Sequence, residues 1–173
     1  MRFSIRRFSL VAAVPALCFT LCLTVRAEEK NGVSLNVSKT TLDRADQRPG
    51  AFGYSTRIDR TEALKVAIKN TSFKPMPEGE VQWEILVRKY LSNFIESTSG
   101  KEKLQALKPS EEASITIGGA QVEGWRDAGG QSKDKIEWQV TVVVDGKEVI
   151  KSSSTQAFDA LAKRATKVTP KPK

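Results

Sequence analysis

The chain contains no histidine. That removes the commonest general base, the commonest zinc ligand and the usual partner of a nucleophilic serine. Cysteine is scarce as well. The two residues, Cys18 and Cys22, both fall in an apolar N-terminal run. Beyond that run there is no thiolate to hold a metal or attack a substrate, and no disulfide to support a small domain. Glycine is present, but the pairs Gly118-Gly119 and Gly129-Gly130 lack the Gly-Lys-Ser/Thr and the following helix of a phosphate loop. They are expected to serve turns. No cofactor and no metal site is expected, and the chain is expected not to be an enzyme.

What the sequence does have begins at its N-terminus. Arg2, Arg6 and Arg7 precede an apolar run over 8–25, and Val25-Arg26-Ala27 places small residues at the third and last positions before Glu28. This is the three-part plan of a cleavable secretory signal peptide over residues 1–27, predicting an exported, periplasmic or extracellular protein. A membrane contact is expected only through that segment if it stays uncleaved. The segment carries four arginines and no acid, so half of the chain's formal charge of +8 lies in it. Much of the remaining excess sits near the C-terminus, in Lys163, Arg164, Lys167, Lys171 and Lys173. Residues 166–173, with two prolines and three lysines, are expected to form a disordered basic tail. No specific nucleic-acid partner is implied.

Between these ends, residues 28–165 read as one domain in which hydrophobic side chains recur at every second position. Val33, Leu35 and Val37 make a first strand, with 38–51 as a polar loop. A weaker strand is expected near 52–58, with Phe52, Tyr54 and Ile58 on one parity. Leu64, Val66 and Ile68 make a third, closed by Asn70-Thr71-Ser72 and the loop through Pro75, Pro77 and Gly79. Val81, Trp83, Ile85 and Val87 share the face of a fourth. Residues 92–103 are polar and give no strand signal. Ala113, Ile115 and Ile117 alternate before Gly118-Gly119, with 122–125 as a short continuation and 128–132 as a flexible connection. The longest alternation is Ile136, Trp138, Val140, Val142 and Val144. Asp145-Gly146 follows it, a tight-hairpin signal because both central residues need positive φ. Residues 156–165 change to helical spacing through Phe158, Leu161, Ala162 and Ala165, with Thr155 placed to cap the start. The expected class is all-β: an antiparallel two-sheet sandwich with a short C-terminal helix.

The run Ala63-Leu64-Lys65-Val66-Ala67-Ile68-Lys69-Asn70-Thr71-Ser72, the Pro/Gly loop after it and Val81-Gln82-Trp83-Glu84-Ile85 resemble exported bacterial immunoglobulin-like sandwich domains. The resemblance implies an immunoglobulin-like fold and a cell-envelope setting. It carries over no functional residue, and the disulfide of antibody-type members is absent.

Candidate sites follow from residues that break the alternation. Trp83 and Trp138 are in phase with buried faces and are expected in the core. Trp125 lies between Gly124 and Arg126-Asp127, beside a glycine-rich stretch, and with Tyr54 and Tyr90 it forms the candidate recognition surface: Trp125, Arg126, Asp127, Tyr54 and Tyr90. The expected function is a non-catalytic binding or assembly module of the envelope or exterior, with an unidentified protein or polysaccharide as partner. Two alternatives stand beside it. One is a carboxylate-only polysaccharide-degrading enzyme, for which Asp43 with Asp46, Asp127 with Asp134, or Glu111 with Glu112 would have to meet at 5–9 Å separations. The other is a weak polyanion binder acting through the C-terminal lysines. Asp134 also precedes a strand and is a weak calcium candidate. Asn36-Val37-Ser38 and Asn70-Thr71-Ser72 match the sugar-acceptor pattern and are expected to be exposed.

Overall fold

The computed structural model describes residues 26–46, 55–92, 94–127 and 129–168. Most of the signal segment, the turn at Arg48-Pro49-Gly50, Phe52, Tyr54 and residues 169–173 lie outside the described residues.

Ten strands and one short helix are present in the described residues. One sheet has the order β1-β2-β3-β6-β7, formed by β1 (Arg26–Lys30), β2 (Val33–Arg44), β3 (Thr56–Asn70), β6 (Glu112–Asp127) and β7 (Gly130–Lys133). The second has the order β10-β5-β4-β8-β9, formed by β4 (Gly79–Arg88), β5 (Ile95–Leu104), β8 (Lys135–Val144), β9 (Lys147–Ser153) and β10 (Thr166–Lys167). Every pairing is antiparallel except the two-residue β10 against β5. The architecture is an all-β sandwich.

The alternating rows meet between the sheets, as their periodicity requires. Val33, Leu35 and Val37 of β2, Leu64, Val66 and Ile68 of β3, and Ile117 and Val122 of β6 face Val81, Ile85 and Val87 of β4 and the whole row from Ile136 to Val144 of β8. Each such side chain contributes about 1.5–3 kcal/mol on burial, and a one-residue slip would expose an entire row. Trp138 is buried, and Trp83 packs half-buried against the same core. A second, smaller cluster lies outside the sandwich. There Phe158 of α1 (Phe158–Ala162) covers Leu86 and Ile95 on the outer face of the second sheet.

Several strands differ from the sequence expectation, each for a physical reason. β5 occupies the stretch that gave no strand signal. Of its inward positions Glu96, Thr98, Gly100, Glu102 and Leu104, only Leu104 carries a large apolar side chain, because only the two-residue β10 flanks the strand beyond β4. Gly100 faces Trp83 across the ladder, where an added Cβ would sit 2.5 Å from Trp83 Cζ2. β2 continues to Arg44 through what reads as a loop, with a register shift between Thr41 and Asp43. The stretch expected as a flexible connection contributes β7, which pairs with Gly124–Asp127 of β6. The helix is only five residues long. Thr155 Oγ1 accepts a bond from Ala157 N at 3.3 Å just ahead of it, while Ala157 at the cap itself has no side-chain cap bond. Thr166–Lys167, expected within a disordered tail, form β10, and Val168 N donates to Ser97 O.

Two hairpin turns carry positive φ at both central residues. Asp145 and Gly146 have φ of 50° and 71°, the geometry expected for that hairpin. Asn31 and Gly32, at 54° and 73°, join β1 to β2 in the same way.

The most consequential irregularity lies in β6. Glu62 pairs with Ala120 and Leu64 with Ile117, so Gly118 and Gly119 together oppose Ala63. Gly118 has φ of +73°, the glycine-led form of a β-bulge. The extra residue inverts the parity of the strand. Odd positions point inward up to Ile117, and even positions (Ala120, Val122, Gly124) point inward after it.

Candidate recognition surface

The inverted parity decides where the candidate residues go. With Gly124 buried, Trp125 points to the outer face of its sheet, where it is 41% exposed. Its ladder neighbours are Arg57 on β3 and Ser132 on β7. On the same face Gln121 Nε2 donates to Asp59 Oδ1 at 2.7 Å. An aromatic ring is thus set among hydrogen-bonding side chains on an open sheet, with the edge strand β7 exposed at every position.

Arg126, one residue further, leaves the opposite face. It lines a cavity of about 310 Å³ with Arg44, Asp46 and Thr56. Asp127 turns the chain at the tip of the hairpin, its Oδ1 accepting from Gly129 N at 2.8 Å. Tyr90 belongs to the β4–β5 connection on the other sheet. It lines a separate cavity of about 420 Å³ with Arg88, Lys89, Ser92, Lys133, Asp134 and Lys135. The five candidates therefore do not form one surface. Trp125 and Arg126 flank one hairpin on opposite faces, Asp127 shapes its turn, Tyr90 sits at a neighbouring cavity, and Tyr54 lies outside the described residues.

Asp46 and Asp134 stood out in the sequence only as candidate acids, and the basic partners that hold them, Arg44, Arg60 and Lys89, did not. Asp46 accepts from both Nε (2.9 Å) and Nη2 of Arg60, and from Arg44 Nε at 2.8 Å. The Arg60 fork, helped by Arg44 and opposed by burial, holds the Asp46 carboxyl well below the usual carboxylate range. The one available signal was Arg60 standing in phase with Ile58 and Leu64, a charge in an apolar row. Asp134 is 2% exposed and joins the two sheets. Its oxygens accept from Lys89 Nζ (3.2 Å), Tyr90 N (3.0 Å) and Glu123 N (3.2 Å). Burial pushes Lys89 down, but Asp134 and Glu96 outweigh it and leave the ammonium raised. Lys39 reaches across the gap between the sheets to donate to Ile136 O at 2.8 Å, and burial pushes its pKa below the ordinary value.

Four of the other acids considered for catalysis are bonded within the fold: Asp134 accepts the three bonds just given, Asp127 caps its turn, Asp43 accepts from Arg44 N and Glu111 from Lys108 N. Asp134 stands opposite Glu123, four residues along β6 from Asp127. At about 3.3 Å per residue their positions along the ladder are about 13 Å apart, and Asp134 gives its carboxylate to Lys89, Tyr90 and Glu123. Among the described residues, no group of three or more acidic side chains is placed to hold a metal ion.

Asn70 corrects another expectation. It is 1% exposed rather than on an accessible loop. Its Nδ2, the atom a sugar would be joined to, donates to Lys74 O, Leu107 O and Lys108 O at 2.8, 3.1 and 3.2 Å. Asn36, on the outer face of β2, is half-buried.

No protein-family model matches this chain, and no curated protein matches it in sequence. Among solved structures, the crystal structure of a protein from Akkermansia muciniphila is similar at a TM-score of 0.37 and 14% identity, over 83% of this chain and 84% of that one.

Proposed function

We propose that this protein is an exported, non-catalytic binding module of the cell envelope, built on an immunoglobulin-like sandwich, whose recognition element is the β6–β7 hairpin. The strand order supports the fold assignment. β2, β3 and β6 occupy the places of strands A, B and E, and β5, β4, β8 and β9 those of C′, C, F and G. The departure is β7, which lies beside β6 where strand D would lie but follows it in the chain. The leader segment and the lack of histidine support export and a non-catalytic role.

The observation that carries the reading is Trp125. A large indole, 41% exposed on a regular strand, stands between Arg57 and Ser132 on the ladder, with Glu123 two residues before it on the same face, next to the edge strand. Such a ring offers a stacking face, and its neighbours supply hydrogen bonds around it. The test is retention of the purified protein on envelope polysaccharides and envelope proteins, compared with Trp125→Ala. The expected outcome is a loss of about tenfold or more in affinity with an unchanged circular dichroism spectrum. Retention unaltered in Trp125→Ala, or no retention of the parent protein on any envelope fraction, would overturn it.

A further inference from the structure

The face of the hairpin opposite Trp125 carries different chemistry. Arg44 and Arg60 both donate to the single carboxylate of Asp46, and Arg126 lines the same cavity as Arg44 and Asp46. Arg60 is mostly buried, with its side chain 14% exposed, and lies in a two-bond fork against Asp46. That pair is internally neutral. Arg44 uses only Nε on Asp46, and its side chain is 60% exposed. Arg126 makes one long contact, Nη2 to Gln131 Oε1 at 3.5 Å. Among the described residues, the Nη groups of Arg44 and nearly all the donors of Arg126 have no side-chain partner. Both line the 310 Å³ cavity, together with the hydroxyl-bearing Thr56. A guanidinium presents its donors in a planar fork that matches an oxyanion, so two of them beside a neutralised carboxylate make a site for one more negative group.

We propose that this cleft binds the oxyanion group of an acidic polysaccharide, a uronate carboxylate or a sulfate ester, through Arg44 and Arg126. Asp46 and Arg60 form the fixed base that aims Arg44. A sugar chain is the occupant the surroundings favour. The edge strand between the two faces is Gly130-Gln131-Ser132-Lys133, exposed throughout. A polymer crossing that edge stacks one ring on Trp125 and delivers a charged ring to the cleft. The inference rests on the binding-module reading and gives its ligand a chemical class.

The test uses the purified protein with polygalacturonate, dextran sulfate and neutral dextran. Three variants are compared with the parent: Arg44→Gln/Arg126→Gln, Trp125→Ala, and a form lacking residues 169–173, which removes two lysines of the tail. Thermal unfolding serves as the check on folding. The expected result is that at least one acidic polymer binds about tenfold or more tighter than dextran, and that the double arginine variant loses that preference while unfolding as the parent does. The polymer that responds tells carboxylate from sulfate ester. Loss of acidic-polymer binding on removing the tail but not on replacing the arginines would overturn the cleft, as would a parent protein with no preference for either acidic polymer. Trp125-dependent binding of neutral dextran or an envelope fraction, without that preference, would overturn the cleft and leave the module reading standing. Absence of binding to every polymer and every envelope fraction would overturn both.

Discussion

The two ends of the sandwich are held by opposite means. At one end the crossovers β3–β4 and β5–β6 meet on Asn70. Its neutral amide donates to three backbone carbonyls and accepts from the backbone and hydroxyl of Ser72. At the other end Asp134 fastens the β7–β8 crossover to Lys89, Tyr90 and Glu123, and Asp46, just past β2, is held by Arg60 of β3 and by its near neighbour Arg44. An amide with all its valences met is closed to further partners and indifferent to pH. Ion pairs respond to pH and salt, and here they leave guanidinium donors over. The end locked by charge is where the proposed cleft lies, and the end locked by a neutral side chain carries no part of it.

The strongest challenge to this contrast is Asn70→Ala. It removes five hydrogen bonds at once, although the carbonyls of Lys74, Leu107 and Lys108 each keep one other donor, and about 3–5 kcal/mol of stability is expected to go, read as a fall in the urea midpoint with little dependence on pH. A loss under about 1 kcal/mol would mean that solvent or a shifted loop satisfies those groups and that the end is not locked by this residue. Asp134→Ala should cost somewhat less, about 2–4 kcal/mol. Lys89 retains Glu96 at 3.4 Å, whereas the Tyr90 and Glu123 amides lose their acceptor. Because the Lys89 ammonium is raised in the folded protein, its share of stability is present below the ordinary lysine pKa and disappears as pH rises through the folded value. The alkaline limb of the stability profile should therefore flatten in the same variant.

The smallest effect sharpens the comparison rather than breaking it. Asp46 is depressed in the folded protein, so its stabilisation is fully present above the ordinary carboxylate pKa of about 3.9 and is lost as pH falls below that toward the folded value. Glu137 acts in the same direction. Burial pushes it up, but Lys135 and Ser154 outweigh that and leave it lowered. Urea midpoints measured from pH 6 downward should begin to fall near pH 4. Asp46→Asn should reduce that slope without altering the neutral-pH behaviour of an Asn70 variant. An unchanged slope would place the acid sensitivity elsewhere.

How much of this was legible in the sequence depended on whether a residue's role was local. The rows Val33–Val37, Leu64–Ile68 and Ile136–Val144 announce their strands because an inward face must be apolar, and Asp145-Gly146 announces its turn through backbone sterics alone. β5 was silent because Gly100 is there to accommodate Trp83, a residue seventeen positions earlier, and because an edge strand need not be greasy. The site divides the same way. Trp125 and Arg126 stand out beside a glycine, but that they part to opposite faces follows from a bulge whose signature, two adjacent glycines, reads equally well as a strand end. The Arg44–Asp46–Arg60 cluster was not legible. It exists only because β2 and β3 pair across a long connection, and no local pattern encodes which arginine an aspartate will meet.

That bulge has a wider meaning for how such a surface can change. Gly118 and Gly119 work as a phase switch: one residue more or fewer between Ile117 and Ala120 exchanges the side of the hairpin on which indole and guanidinium emerge, with neither residue replaced. Chemistry that substitution would reach only in several steps is rearranged by a single insertion or deletion, at a spot where the strand already tolerates slack.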